Sequence, residues 1–182
     1  MAPSALATTT GLAYGGYTIQ LPISGKYIGR ADFETAIYAP KPIIVRETPY
    51  VWTVQPITTK SGKKQYNLIA GSAAAGRWTA QGEKVYSFVA PVDGQKAATS
   101  LILEQGTKKG SYYIKQANET VAGDIKSGGW YVHKTDEFSP VFAGGKSSSK
   151  AVAFRFVEQI AIEGPGGIAR SDVPGPVQVE IV

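Results

Sequence analysis

A chain of 182 residues suits one domain of about 150 residues with tails, large enough to bury most of its apolar surface without covalent staples. The absence of cysteine and the single histidine, His133, exclude disulfides, Cys-rich zinc sites, Cys-His dyads and multi-histidine metal centres. Nineteen Lys and Arg against 14 Asp and Glu give a net charge of +5, but the cations scatter through turn-like segments instead of alternating with aromatics, which argues against nucleic-acid binding as the main function.

Segment 1–13 has no basic n-region and no apolar run of signal-peptide length, and no later stretch approaches the roughly 18 consecutive apolar residues of a membrane span. The expectation is a cytoplasmic protein with a flexible lead-in and no membrane partner, folding in a reducing compartment. From there, runs rich in Val, Ile, Tyr, Phe, Trp and Thr alternate with Gly, Pro, Ser and Lys clusters, and nothing keeps helical period. Strands are predicted at 16–21, 26–30, 42–47 and 50–56, then at 65–70, 76–81, 84–89 and 100–105, then at 111–116, 130–134, 140–143 and 151–158. Turns such as Ile23-Ser24-Gly25-Lys26 and Gln81-Gly82-Glu83 carry the glycine that tight reversals need. The longer connections, 31–41, 90–99, 117–129 and 144–150, are where function is expected, because loops carry function on a rigid frame.

These strands repeat. Tyr17-Thr18-Ile19-Gln20, Tyr66-Asn67-Leu68-Ile69 and Tyr113-Ile114-Lys115-Gln116 recur at intervals of roughly 45 to 50 residues, the signature of a pseudo-symmetric architecture. Val51-Trp52-Thr53-Val54-Gln55, Leu101-Ile102-Leu103-Glu104-Gln105 and Ala153-Phe154-Arg155-Phe156-Val157 keep nearly the same interval. The reading is all-β: a β-trefoil of three pseudo-repeats of four strands in a single domain, 14–160, with Tyr17, Trp52, Tyr66, Trp78, Tyr113, Phe154 and Phe156 in the barrel core. Segment 161–182 is a Gly/Pro-rich tail, read as mobile, although Val177-Gln178-Val179-Glu180-Ile181-Val182 alternates like one more strand. No strand demands a partner, so a monomer is expected.

Catalytic chemistry is sparse. His133 alternates with Val132 along a strand, and no nucleophile elbow, Walker-type loop or strand-to-helix glycine fingerprint accompanies it. The carboxylates closest in sequence, Asp136 with Glu137 and Asp32 with Glu34, say nothing about opposed placement across a substrate. Asn118-Glu119-Thr120 is a glycosylation acceptor that matters only in a secretory pathway. The chain reads as a binder, not an enzyme, with no metal and no cofactor.

Gly16-Tyr17-Thr18-Ile19, Tyr27-Ile28-Gly29-Arg30 with Glu34 after it, Pro40-Lys41-Pro42-Ile43-Ile44-Val45 and Val51-Trp52-Thr53-Val54 resemble, in order and spacing, the β-trefoil serine protease inhibitors of mushrooms. Gly129-Trp130-Tyr131-Val132 and Ala153-Phe154-Arg155-Phe156 extend the resemblance over 14–160. It implies a stable defence protein that blocks trypsin-like enzymes by substrate-like insertion of a surface loop. Two connections correspond to places such inhibitors use. One begins Arg30-Ala31-Asp32-Phe33; the other is Gly144-Gly145-Lys146-Ser147-Ser148-Ser149-Lys150. A trypsin-like pocket has a carboxylate at its base, so an exposed basic anchor is required, which favours Lys146 over the first loop and places Lys150 behind both. Glu34-Thr35-Ala36 lacks the second acidic residue that often follows the Glu, and the tail after 160 has no counterpart in the family.

Rival readings use the same frame. A trefoil lectin would bind glycans through an exposed aromatic and a nearby Asp or Asn repeated between units; Gln55, Gln105 and Gln159 recur, but without the tryptophan two residues later that ricin-type repeats carry. An inhibitor of papain-like cysteine proteases would act through Gly15-Gly16 or Gly71. A scaffold protein without a protease target would interact through its ends.

Overall fold

The structure is a computed structural model that describes residues 11–33, 39–78, 83–89, 97–98, 100–117, 129–144, 151–159, 162–164 and 167–169, none of them helical. Its strands are β1 (Gly15–Gln20), β2 (Tyr27–Arg30), β3 (Lys41–Arg46), β4 (Val51–Thr58), β5 (Lys64–Ala70), β6 (Ala73–Trp78), β7 (Val85–Phe88), β8 (Ala97–Ala98), β9 (Leu101–Gln105), β10 (Ser111–Gln116), β11 (Trp130–Val132), β12 (Val141–Ala143), β13 (Ala153–Glu158), β14 (Ile162–Gly164) and β15 (Gly167–Ala169). The predicted strands all have counterparts. β6 begins at Ala73, earlier than predicted, because Ala73 and Ala75 are fully buried between neighbours even though alanine and glycine favour strands weakly. The short β8 and the β14–β15 hairpin, which falls in the segment read as a tail, were not expected. Residues 177–182 lie outside the described part of the chain.

Six strands close into a ring, β1-β4-β5-β9-β10-β13, with β13 returning to pair with β1 and every pairing antiparallel. Closure leaves these strands no open edge. Among the described residues four hairpins stand outside the ring: β14–β15, and the three that concern the site, β2–β3, β6–β7 and β11–β12. These last three meet one another: β3 pairs with β7 through Lys41↔Ser87, the residue before β7 bridges β12 through Lys84↔Phe142, and Ile44 of β3 bridges Pro140 just before β12. Each of the three therefore touches the other two.

The sequence repeats build the core. Trp52, Leu101 and Phe154 are fully buried, as are Ile19, Leu68 and Ile114 on the adjoining strands. The third repeat is one residue out of the predicted register. Ile19 and Leu68 each follow a buried tyrosine by two positions, and the tyrosine two positions before Ile114 is Tyr112, not Tyr113. Tyr112 meets the Phe156 ring edge-on at 5.5 Å and packs against the core; Tyr113, on the opposite side of the strand, is half-buried. In a strand a slip of one residue exchanges faces, so the adjacent tyrosines made the alignment ambiguous. Trp130 and Tyr50 join the core unpredicted, and the side chain of Trp78 is not described.

Two buried indoles are tied to polar partners, as burial of an N–H requires. Trp52 Nε1 donates to the Ile28 carbonyl at 2.9 Å, and Trp130 Nε1 donates to Gln116 Oε1 at 3.3 Å. The first bond locks the ring to the hairpin that carries the β2–β3 connection. At the β1–β2 reversal Gly25 sits at φ 69, with its N–H on the Leu21 carbonyl at 2.9 Å, a conformation that costs glycine least.

Candidate functional site

The β2–β3 connection is fastened at its base by side chains from three strands and the segment after β3. Arg30 ends β2 half-buried, and its Nε donates to Ser87 Oγ at 2.9 Å; Ser87, fully buried, donates in turn to the Lys41 carbonyl at 3.2 Å. Ala31 is fully buried, and its N–H bonds the Pro42 carbonyl at 2.9 Å. Arg46, at the end of β3, reaches back across the hairpin: Nη1 donates to the Arg30 carbonyl at 3.0 Å and to the Asp32 carboxylate at 3.2 and 3.3 Å. The Arg46 guanidinium also lies 5.0 Å from the centre of the Tyr50 ring. Gly29 makes this packing possible, since a Cβ there would stand 2.5 Å from Tyr50 Cγ and 2.7 Å from Arg46 Cδ.

One cation thus holds a carbonyl, a carboxylate and an aromatic face together. Arg46→Ala is expected to open the loop base, read as cleavage within 31–40 by a non-target protease about tenfold faster than wild type, with a stability loss of only about 1 kcal/mol because Asp32 is solvent-exposed. Unchanged cleavage would show that the loop is held by other means. Arg46→Lys is expected to fall between wild type and the alanine variant, because the bonds to Arg30 and Asp32 come from one nitrogen that an ammonium can partly replace.

Beside this loop lies the turn between β11 and β12. Phe138 N–H bonds the Val45 carbonyl at 2.8 Å, Val45 N–H bonds the Ser139 carbonyl at 2.8 Å, and Ser139 N–H closes on the Asp136 carbonyl at 3.1 Å. The turn is pinned to β3 on both sides, with Phe138 at φ 69, a left-handed conformation unfavourable for a bulky residue. Its ring points outward, 57% exposed, and meets Phe33, 63% exposed, edge to face at 5.6 Å.

Of the residues expected to act, Arg30, Ala31 and Asp32 come together here, and the Arg30 side chain is turned to Ser87 on the neighbouring β6–β7 hairpin. Gly145, Lys146, Ser147 and Lys150 lie outside the described residues. Sequence reasoning named Phe33 only as a member of the loop and missed Arg46, Tyr50 and Phe138. A signal for the last was available: a phenylalanine inside the polar run Thr135-Asp136-Glu137-Phe138-Ser139-Pro140 has no core to enter.

His133 packs on the rings of Phe142 and Tyr131, at 4.8 and 5.1 Å, and among the described residues no group of three His, Asp or Glu could hold a metal. Gly71, at φ 63, turns β5 into β6, and a Cβ on Gly16 would lie 3.2 Å from Val51 Cγ1, so both glycines have local structural reasons. Lys108 and Lys109, adjacent in sequence, join Arg155 along a cleft of about 430 Å³.

Two tyrosines near the loops are held protonated. Burial pushes Tyr50 up to about 12, with the Asp32 charge adding to it and Arg30 and Arg46 opposing it. Burial likewise pushes Tyr131 up to about 12, reinforced by the hydrogen bond its hydroxyl donates to Glu83 Oε2 at 2.7 Å. Both folded values stand above the ordinary 10.0, so their contribution to stability is complete below pH 10 and lost as pH rises from there through about 12. Ultraviolet titration is expected to show these phenols ionising together with unfolding, and Glu83→Gln should bring Tyr131 down; reversible ionisation of every tyrosine near pH 10 in the folded protein would refute this.

No protein-family model and no curated protein matches the sequence. Solved structures do. A proteinase inhibitor from Coprinopsis cinerea superposes with a TM-score of 0.59 at 17% identity, covering 82% of this chain and 100% of the inhibitor. A salivary protein of the cysteine and tryptophan-rich family from Culex quinquefasciatus gives 0.59 at 16% identity, over 82% of this chain and 96% of its own. SeviL bound to asialo-GM1 saccharide gives 0.52 at 14% identity, over 81% and 100%. At these identities the likeness establishes a shared all-β, barrel-like fold.

Proposed function

We propose that this chain is a β-trefoil inhibitor of trypsin-like serine proteases, acting by insertion of a surface loop into the protease cleft without catalysis of its own. The six-strand ring with three mutually touching hairpins supports the trefoil reading. What supports inhibition in general, before any choice of protease, is the braced base of the β2–β3 connection, where Arg46 binds the Arg30 carbonyl and Asp32; the choice of a trypsin-like target rests on the sequence resemblance over 14–160. A connection whose base is fixed in advance loses less entropy on docking, which suits a substrate-like inhibitor more than a scaffold. The fold shared with the Coprinopsis cinerea proteinase inhibitor is consistent with it.

The same geometry bears on which residue enters a trypsin-like pocket. Arg30 is engaged with Ser87, and Lys41, at the far end of the connection, is buried. Lys146, in the other loop, remains the proposed basic anchor on its residue type, with Lys150 behind it. The test is residual trypsin activity against increasing purified protein, with papain alongside. Stoichiometric loss of trypsin activity is expected. Loss of papain activity alone would favour the cysteine protease reading, and no effect on either at large excess would move glycan binding, as in SeviL bound to its saccharide, to the front.

A further inference from the structure

We propose that the Phe33–Phe138 pair is a second inhibitory epitope, aimed at a serine protease whose primary pocket is an apolar slot, with Phe33 as the pocket-filling residue and Phe138 as its positioning residue. The proposal rests on the inhibitor reading and extends it to a second class of target.

The β2–β3 connection is rigid at its base, and the cations that bound it are engaged or buried, so its construction does not suit a pocket with a carboxylate at the bottom. What it presents instead is an aromatic ring. Phe33 directly follows Asp32, the residue that Arg46 clamps, and projects 63% exposed. Aromatic anchors entering desolvated pockets dominate protein interfaces, and a serine protease with an apolar primary pocket offers such a recess beside its cleft.

Phe138 explains how a projecting ring is held. A solvent-exposed phenylalanine at φ 69 is unfavourable on two counts, burial and backbone, and glycine would satisfy the turn better. Three backbone bonds nonetheless fix this conformation, and its outcome is an edge-to-face contact at 5.6 Å that limits the orientations of Phe33. Asp136 and Glu137, in the same turn, are exposed and place negative charge at the rim of the pair. Strain and exposure coincide on one patch, continuous with the braced loop.

The experiment compares inhibition of chymotrypsin and of trypsin by wild type, Phe33→Ala, Phe138→Gly and Lys146→Ala, with the melting temperature of each. Wild type is expected to inhibit both enzymes. Phe33→Ala should weaken chymotrypsin inhibition about 100-fold and leave trypsin inhibition unchanged; Lys146→Ala should do the reverse. Phe138→Gly is expected to melt at or above the wild-type temperature, because glycine relieves the left-handed strain, and yet to weaken chymotrypsin inhibition about tenfold. Trypsin inhibition without chymotrypsin inhibition, or Phe33→Ala within about twofold of wild type, would overturn the second epitope and leave the inhibitor reading standing. A lowered melting temperature in Phe138→Gly would overturn the positioning role and make the pair a structural brace. Inhibition of neither enzyme would overturn both readings.

Discussion

Trp52→Ala is expected to destabilise the protein by about 3–5 kcal/mol, a large fraction of the roughly 5–15 kcal/mol that holds a typical domain folded. The indole is fully buried in the ring, against Tyr50 with ring centres 5.2 Å apart, and its N–H satisfies the Ile28 carbonyl. Truncation removes the transfer free energy of the ring, leaves a cavity that the closed ring of strands has little freedom to collapse, and orphans that carbonyl at a further cost of about 1 kcal/mol. Because Ile28 lies in β2, the damage extends to the hairpin that carries the loop. Trp52→Phe keeps most of the ring volume but not the donor, and is expected to cost roughly half as much. Urea unfolding followed by far-ultraviolet circular dichroism checks both; an alanine variant within about 1 kcal/mol of wild type would mean the ring tolerates the cavity.

The core was legible because its signal is repetitive. Apolar residues two apart recur in each unit, as in Trp52 and Val54, Leu101 and Leu103, and Phe154 and Phe156, and period-two alternation survives without knowledge of the partner strand. The slip at Tyr112 and Tyr113 marks the limit of that signal, since two adjacent tyrosines satisfy either register until the pairing Tyr112↔Phe154 fixes it. The site was legible only as a place. Arg30 was visible as a cation beside a loop, but its engagement depends on Ser87, 57 positions away in sequence. Arg46 and Tyr50 matter because Gly29 lets them cross the hairpin, and Phe33 meets Phe138 because β3 pairs with the segment before β12. Contacts made across hairpins leave no periodic trace in the chain.

Lys146→Ala is expected to weaken trypsin inhibition about 100-fold or more, the size of loss seen when a charged hot-spot anchor is truncated. A trypsin-like pocket needs a long cation that reaches a buried carboxylate, and the two cations bounding the β2–β3 connection are committed elsewhere: Arg30 Nε to Ser87, and Lys41 to a position only 3% exposed. Arg30→Ala is accordingly expected to leave trypsin inhibition within about fivefold of wild type, as for contacts outside the hot spot. Lys146→Arg should retain inhibition, because either cation pairs with the carboxylate, whereas Lys146→Met, which keeps the length and removes the charge, should fail with trypsin. The ordering to be measured is therefore wild type and arginine together, Arg30→Ala close behind, and the alanine and methionine variants far below. If Arg30→Ala loses inhibition while Lys146→Ala keeps it, the reactive loop is the β2–β3 connection; if only Lys150→Ala loses it, the anchor sits four residues further along the same loop.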